Sequence, residues 1–293
     1  MLRSRKDKMF DALIILVLCI VLVIVLYPLY FVVIASVSDP IQVIGGKVIL
    51  KPIGFNFEAY KRVFKYEMVM RGYGNTLMYT AAGTTLNLVM TVLAAYPLSR
   101  RKLHGKGFVL GMMMVTMFFS GGLIPTYVTI RSLRLLDTFW VMILPGALSV
   151  YNTMLMRSFF ITSVPVELEE AARIDGASHF KTLTQVILPV SKAILAVMVV
   201  FYAAGHWNNY FSGLIYLSTE EKYPLQLVLR AILIQNQMQE EMVIDVGDTY
   251  NRQMMAETLK YALIIVSSVP LLLLYPFVQK YFVHGVMIGS VKG

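Results

Sequence analysis

Long apolar runs alternate with short polar connections along this chain, and their lengths predict helices that cross a membrane. The hydrocarbon core of a bilayer, about 30 Å thick, is crossed by roughly 20 apolar residues in a helix. The pattern therefore predicts an all-α integral membrane protein with one transmembrane domain, 1–293. The six predicted spans are about 12–37, 75–98, 108–130, 138–160, 190–217 and 258–282.

Three of these runs contain residues that interrupt a regular helix. The third contains Gly121, Gly122 and Pro125, and the fourth contains Pro145-Gly146. Proline removes a helical hydrogen bond and glycine loosens the backbone, so both spans are expected to be bent or broken. The sixth run contains Pro270 and Pro276.

The first run follows four basic residues, a pattern that is also typical of a cleaved signal peptide. The apolar core of such a peptide is usually about 7–15 residues long, whereas this run extends over 12–37. We therefore expect a retained first span.

The composition supports a membrane protein over a nucleic-acid-binding one. Hydrophobic residues make up 57% of the chain and charged residues only 15%, against about a quarter in globular proteins. The net charge of +9 is spread over the connections, so no nucleic-acid partner is predicted. The segments assigned to the inside carry 14 Lys/Arg and six Asp/Glu, while those outside carry 12 and 11. This asymmetry predicts that both termini are cytoplasmic.

Catalytic and metal-binding patterns are missing from the sequence. Cys19 is the single cysteine, so no intrachain disulfide can form, and the four histidines lack the spacing of metal ligands. There is no GxxxxGK phosphate loop, no nucleophile elbow and no HExxH. We therefore expect no metal site, no cofactor in this chain and no enzymatic activity.

A polar segment between the fourth and fifth runs, 164–189, has the signals of two short helices joined by a turn. Pro165 suits a first helical turn, and three glutamates place negative charge at the positive end of the helix dipole. Gly176 is typical of a helix C-terminus, and Ser178 can cap a second helix that runs from Lys181 to Leu188. We refer to this segment as the 164–189 loop.

The charge of this loop opposes that of its surroundings. Four acidic residues and one basic residue lie between Glu167 and Asp175, on a face that is otherwise strongly positive. An acidic helix with a surface of small residues (Ala171, Ala172, Ala177) is suited to close packing in a partly basic cleft of a partner. The alternative is an ordinary solvated loop with incidental alanines.

Amide and aromatic residues inside the spans are candidates for a substrate path. Polar side chains are costly in lipid and usually face other helices or a water-filled path. Amides and aromatic rings suit a sugar, which needs hydrogen bonds for its hydroxyls and flat surfaces for its C–H faces. The alternative is helix packing together with an interfacial aromatic belt. The candidates are Tyr151, Asn152, Trp207, Asn208, Asn209 and Phe211.

The 164–189 loop resembles the cytoplasmic loop of ABC importer permeases, which carries the pattern EAA-x-x-DGA followed by a hydrophobic-Leu-Pro. Here the pattern stands as Glu170-Ala171-Ala172, Asp175-Gly176-Ala177 and Ile187-Leu188-Pro189. WNNYFSGLIYL and the tail HGVMIGSVKG are similar to the carbohydrate branch, the maltose-type permeases. FFSGGLIPTY resembles a subgroup associated with oligosaccharides or polysaccharide fragments.

This resemblance implies a permease subunit in a bacterial-type cytoplasmic membrane. The loop would be a coupling helix that docks on a separate ATPase subunit, with Glu170 facing a basic residue there. The residues implied in coupling are Glu169, Glu170, Ala171, Ala172, Asp175, Gly176 and Ala177. The tail implied to reach the ATPase interface is Ser290, Val291, Lys292 and Gly293.

The resemblance also implies the partners. These are two ATPase subunits that hold ATP and Mg²⁺, a homologous second permease in a heterodimer, and an extracytoplasmic sugar-binding protein that docks on 39–72 and 218–257. A secondary transporter or channel remains an alternative, although it would need charged residues buried in the spans and internal repeats. A membrane scaffold without transport is a third possibility, but it would not need amides and aromatic rings in the fifth span.

Overall fold

The structure is a computed structural model that describes residues 5–100, 103–242, 259–274, 276 and 279. Over this part of the chain the regular structure is helical throughout and contains no strand, as the apolar pattern predicts. The chain divides into two compact units. The first consists of 1–69 and 229–269, and the second of 70–228 and 270–293.

The helices of the described residues follow the predicted order, with additional short elements between them. Short 3₁₀ segments lie at Phe139–Met142, Leu144–Gly146 and Glu220–Lys222. The α-helices are α1 (Arg5–Ser36), α2 (Pro40–Ile44), α3 (Glu58–Lys65), α4 (Glu67–Ser99), α5 (Lys106–Phe118), α6 (Leu123–Ser132), α7 (Val150–Thr162), α8 (Val166–Ile174), α9 (His179–Thr182), α10 (Leu188–Val190), α11 (Lys192–Trp207), α12 (Phe211–Tyr216), α13 (Leu225–Met242) and α14 (Leu259–Leu274).

Two helices are long and apolar enough to cross a bilayer, by length and composition. They are Lys8–Ser36 within α1 and the whole of α4. Three bent helix pairs raise the number of candidate spans among the described residues to five if each pair counts as one span. The 16-residue apolar α14 covers the first part of the predicted sixth run. The count of six spans stays a prediction, as does the single domain 1–293.

The predicted interruptions occur where glycine and proline stand. The helix breaks between Phe118 and Leu123, and α5 and α6 meet at an angle of 113°. Gly122 there has a φ of +85°, a backbone conformation that residues with a Cβ rarely adopt. A second bend, of 52°, separates the Pro145-Gly146 turn from α7. The third and fourth runs are therefore broken segments and not straight helices.

The third bent pair joins the 164–189 loop to the fifth run. The helical path from His179 to Val190 includes a π-helical turn at Leu183–Ile187, and it meets α11 at 85°. Pro189 lies just beyond this turn and cannot donate a backbone hydrogen bond to the preceding turn, where its ring also crowds the backbone. The wider turn is the local adjustment to that crowding.

In the first unit, the end of α1 is fixed against the segment that follows it. Ile34 and Ala35 pack with Val43 and Val48 in a small core. The hydroxyl of Tyr30 donates a hydrogen bond of 2.6 Å to the carbonyl of Leu50. The polar segment after α1 is therefore folded and tied to the helix by both apolar and polar contacts.

In the second unit, the main core lies at the junction of α4, α7, α11 and the 164–189 loop. Met156, Phe160, Ile187 and Met198 are almost fully buried there. A second cluster forms around Tyr79, Val141 and Ile143. The loop therefore shares one apolar core with three long helices.

Candidate functional site

The 164–189 loop folds as its local signals predict. α8 begins after Pro165, and its end forms a Schellman motif in which Gly176 has a φ of +71°. The N–H of Ala177 donates to the carbonyl of Ala172, and the N–H of Gly176 donates to that of Arg173. The hydroxyl of Ser178 accepts a hydrogen bond from the N–H of Lys181 and caps α9. The order helix, turn, helix follows the prediction, but α9 begins at His179, and a π-helical turn at Leu183–Ile187 occupies most of the predicted second helix.

α8 has two different faces. Glu169 and Ala172, three residues apart, are buried, whereas Glu170, Ala171 and Ile174 are exposed. A helix places residues three and four apart on the same side, so the neighbouring glutamates point in different directions. Asp175 and Gly176 are exposed at the turn, and Ala177 is half-buried. The loop motif is therefore divided between an outward and an inward surface.

Glu169 is held inside the chain by two arginines. One carboxylate oxygen contacts Nη1 of Arg100, just beyond the end of α4, and the other accepts a hydrogen bond of 3.1 Å from Nη2 of Arg173. The side chains of Arg100 and Glu169 are only 15% and 11% exposed. The sequence spacing predicts the pair with Arg173, but Arg100 lies 69 positions away and was missed.

The end of α4 is stabilised by further hydrogen bonds from basic side chains. Nε of Arg157 on α7 donates to the carbonyl of Leu98 at 2.9 Å, and Nζ of Lys106 donates to the carbonyl of Arg100 at 3.1 Å. The Arg100 guanidinium lies 4.7 Å from the centre of the Tyr96 ring. Positive charges satisfy the unpaired carbonyls at the negative end of the helix dipole.

The outward surface of the loop includes large apolar side chains. Ile174 is 87% exposed and Phe180 is 70% exposed. Apolar residues of this size, next to the exposed carboxylate of Glu170, form a surface suited to binding a partner. Ile174 was not selected from the sequence, although it lies four residues after Glu170 on the same side of α8.

The amides of the 206–211 stretch bond to their own backbone. Nδ2 of Asn208 donates to the carbonyl of Ala204 at 2.9 Å, and Oδ1 of Asn209 accepts from the N–H of Ser212 at 3.1 Å at the start of α12. Trp207 is 2% exposed and its ring packs edge-on against Tyr73. Phe211 is exposed. Trp207 therefore lies in the protein core and does not face an open path.

The other predicted pair is also divided by burial. Asn152 is buried, and its backbone N–H bonds to the Ser149 hydroxyl that caps α7. Its neighbour Tyr151 is exposed. Among the predicted path residues, Tyr151, Asn208 and Phe211 are thus the exposed ones, and Asn209 is half-buried.

A polar chain inside the second unit connects three helical segments. Nε2 of His206 and Oδ1 of Asn87 are 2.6 Å apart, and the Asn87 amide donates to the carbonyl of Gly146. A Cβ on Gly83 would lie 2.4 Å from the His206 ring, so the imidazole packs directly on the glycine backbone. Asn87 and Gly83 were missed because nothing in their local sequence indicates this long-range contact.

A second polar cluster, around Asp137, fixes the connection between α12 and α13. Oδ1 of Asp137 accepts hydrogen bonds from the N–H groups of Ser218 and Thr219, and Oδ2 lies 2.7 Å from Nζ of Lys222. The hydrogen bonds from Lys222 and Thr219 hold the pKa of Asp137 well below its usual range. The carboxylate therefore stays ionised at neutral pH.

Two predicted interaction segments lie partly or wholly outside the residues that the structure describes. The tail 290–293 lies outside them, as does 243–257 of the predicted outer docking region. Within the described part of the chain, no group of three His, Cys, Asp or Glu side chains is placed to hold a metal ion.

The chain matches known proteins over nearly its full length. Residues 107–288 match the family described as "Binding-protein-dependent transport system inner membrane component". "Protein LplC" of Bacillus subtilis (strain 168) is 37% identical over 99% of this chain and 97% of its own. The "Polygalacturonan/rhamnogalacturonan transport system permease protein YtcP" of the same organism is 35% identical over 98% and 100%.

A solved structure has the same fold. One chain of a bacterial ABC transporter involved in the import of the acidic polysaccharide alginate superimposes with a TM-score of 0.86. It is 32% identical, and the alignment covers 96% of this chain and 99% of that one. These matches favour the importer over the secondary transporter, channel or scaffold.

Proposed function

The chain belongs to the family of binding-protein-dependent transport system inner membrane components, and we propose that it is the permease subunit of an ABC importer that carries a carbohydrate across the cytoplasmic membrane. It crosses the membrane six times as one domain, with both termini in the cytoplasm. The chain itself is not an enzyme. ATP and Mg²⁺ bind in two separate ATPase subunits, and a homologous second permease completes the translocation path.

The observation that carries this proposal is the divided surface of α8. Glu170 and Ile174 are exposed on one side of α8, while Glu169 anchors the opposite face. A charged group beside a large apolar one suits a cleft that offers both a basic residue and an apolar pocket. We propose that this face is the ATPase docking surface and that the tail 290–293 reaches the same interface.

The proposed cargo is an oligosaccharide or a polysaccharide fragment. This class is supported by the names of YtcP and of the alginate importer, both of which handle polysaccharides. An extracytoplasmic binding protein delivers it to the outer connections, 39–72 and 218–257. Tyr151, Asn208 and Phe211 are exposed and offer two aromatic rings and an amide to the sugar. The less exposed Trp207, Asn152 and Asn209 support the surrounding helices.

The docking surface is tested by purifying the complete complex from the native membrane and measuring the ratio of ATPase subunit to permease. Ile174→Asp and Glu170→Lys are each expected to lower ATPase retention at least about 30-fold, because a central interface residue contributes 2 kcal/mol or more. Insertion of the permease into the membrane should be unchanged. Glu220→Lys, at an exposed acid in another connection, is the matched control and should retain the ATPase.

Wild-type retention of the ATPase in both docking variants would refute the docking surface. Purification of a wild-type chain with no ATPase at all would refute the importer.

The cargo is tested separately by uptake of labelled oligogalacturonate, alginate fragments and neutral maltodextrin. Uptake of none of the three would contradict the proposed cargo class.

A further inference from the structure

Glu169 belongs to the helix that carries the proposed docking surface, but its side chain points the opposite way. Its carboxylate is buried beneath α8 and binds both Arg100 and Arg173. Arg173 lies on α8 itself, so that contact cannot join α8 to anything else. Arg100, in contrast, follows the last residue of α4. The Arg100–Glu169 pair is thus a direct polar connection between the docking helix and a long helix of the second unit.

Arg100 is held firmly on its own side of this connection. Its Nε donates to the Ser99 hydroxyl at 3.0 Å, and its guanidinium lies over the Tyr96 ring. Nζ of Lys106 binds its backbone carbonyl. A planar guanidinium fixed in this way resists sliding more than a mobile lysine would, because its donors are set in one orientation. A displacement of Glu169 would therefore displace the end of α4.

α4 can carry such a displacement over a long distance. It runs without a break from Glu67 to Ser99, a length of about 50 Å at 1.5 Å per residue. Farther along it, Thr91 bonds to Tyr202 of α11 at 2.6 Å, and Asn87 contacts His206. One unbroken helix therefore connects Arg100 to the buried polar contacts with α11.

We infer that Arg100 is a positioning residue of the importer and that, with Glu169, it forms a strut that carries movement of the docked α8 into α4. This inference rests on the proposed function. It assigns different roles to the two adjacent glutamates. Glu170 binds the ATPase, and Glu169 transmits the movement of α8 to α4. Leu183 and Ile187 of the same loop also pack in the core with α4. Removing the strut therefore lowers the efficiency of coupling without detaching the loop.

The test uses the complete complex reconstituted in liposomes with its binding protein and sugar. Two quantities are measured: the ratio of ATPase subunit to permease, and the sugar imported per ATP hydrolysed. In Arg100→Gln and in Glu169→Gln the ratio should stay at the wild-type value. Import per ATP should fall roughly 2- to 30-fold, the range seen for mutations that weaken coupling between sites.

The double variant R100Q/E169Q should be no worse than either single variant, because both remove the same interaction. Arg100→Lys keeps the charge and should recover part of the coupling. A merely structural role would lower the amount of complex but leave import per ATP unchanged.

Unchanged import per ATP in R100Q/E169Q would overturn the strut. Loss of the ATPase from Glu169→Gln, as expected for Glu170→Lys, would also overturn it, because Glu169 would then be a docking residue. If Arg100→Gln does not accumulate, the double variant supplies the same measurement, since it leaves no buried carboxylate that has lost one of its two arginines. Failure of both variants to accumulate, with full coupling in Arg100→Lys, would assign the pair to folding alone. Absence of the ATPase from the wild-type complex would instead refute the proposed function.

Discussion

The 164–189 loop and the 206–211 stretch both place polar side chains beside buried apolar helices, but they use them in opposite ways. In the loop, Glu170 extends away from its helix and leaves its carboxylate exposed. In the stretch, Asn208 and Asn209 bind backbone groups within four residues. The difference follows from reach: a short amide competes for nearby backbone donors and acceptors, whereas a longer carboxylate on an intact helix does not. An amide that is bonded to its own backbone has less hydrogen-bonding capacity left for a partner than an exposed carboxylate has.

The strongest disturbance of the 206–211 stretch is expected from Gly83→Val. The added Cβ would overlap the His206 ring, which is fixed by its contact with Asn87. Overpacking of this kind costs about 3 kcal/mol. We expect a lower melting temperature of the detergent-solubilised protein and lower accumulation in the membrane. Gly205→Val is the matched control, because nothing lies within 4 Å of the corresponding Cβ position; equal effects of the two variants would contradict close packing on His206.

A medium effect is expected from Asp137→Asn, which weakens the cluster that fixes the connection after α12. Losing charge-assisted hydrogen bonds to Lys222 and Thr219 should destabilise the protein by about 1.5 kcal/mol at neutral pH. The pKa of Asp137 is lowered in the folded state, so its contribution is present above the unfolded pKa and is lost as the pH falls through the folded value. Wild type and variant should therefore converge in strong acid. A constant difference in thermal stability down to that range would exclude ionisation as the cause.

The smallest effect is expected at Asn209, and it separates a cap from a sugar ligand. Asn209→Leu removes the acceptor at the start of α12 and should cost about 1 kcal/mol. Asn209→Asp retains an acceptor oxygen and should keep both thermal stability and sugar uptake near wild type. If Asn209→Asp is stable but fails to import, the amide N–H₂ contacts the cargo, and the stretch resembles the 164–189 loop more than its hydrogen bonds indicate.

Local chemistry was enough to predict the loop but not the direction of its side chains. Pro165, Gly176 and Ser178 act through the backbone of their own neighbours, so their effects can be identified in a short window of sequence. The inward turn of Glu169 depends on Arg100, which is remote in sequence and close in space. The spacing of apolar residues located the helices for a similar reason, whereas the glycine pair between α5 and α6 predicts a break but not its angle of 113°.

The same distinction applies to the predicted sugar ligands. Amides and rings near the end of a span are the correct chemistry for a carbohydrate, but the pattern does not tell which of them are already bound. Trp207 was selected for its ring, and the ring packs against Tyr73. Tyr151 and Asn152 are adjacent in sequence, but only Tyr151 is exposed. Composition predicts the kind of surface, and three-dimensional packing decides which of these side chains are exposed.

The π-helical turn at Leu183–Ile187 determines how this segment would respond to the loss of one residue. A π turn accommodates one residue more than an α turn, and one residue of α-helix corresponds to a rotation of about 100°. Deleting a single residue there, such as Gln185, would leave the hydropathy profile almost unchanged. It would let the π turn revert to an α turn, so that Leu188 and the residues that follow it keep their orientation relative to α9, whereas the same deletion in a regular α turn would rotate them by about 100°. The π turn is therefore the place in this segment where the loss of one residue is expected to leave the inward-facing side of the next segment unchanged.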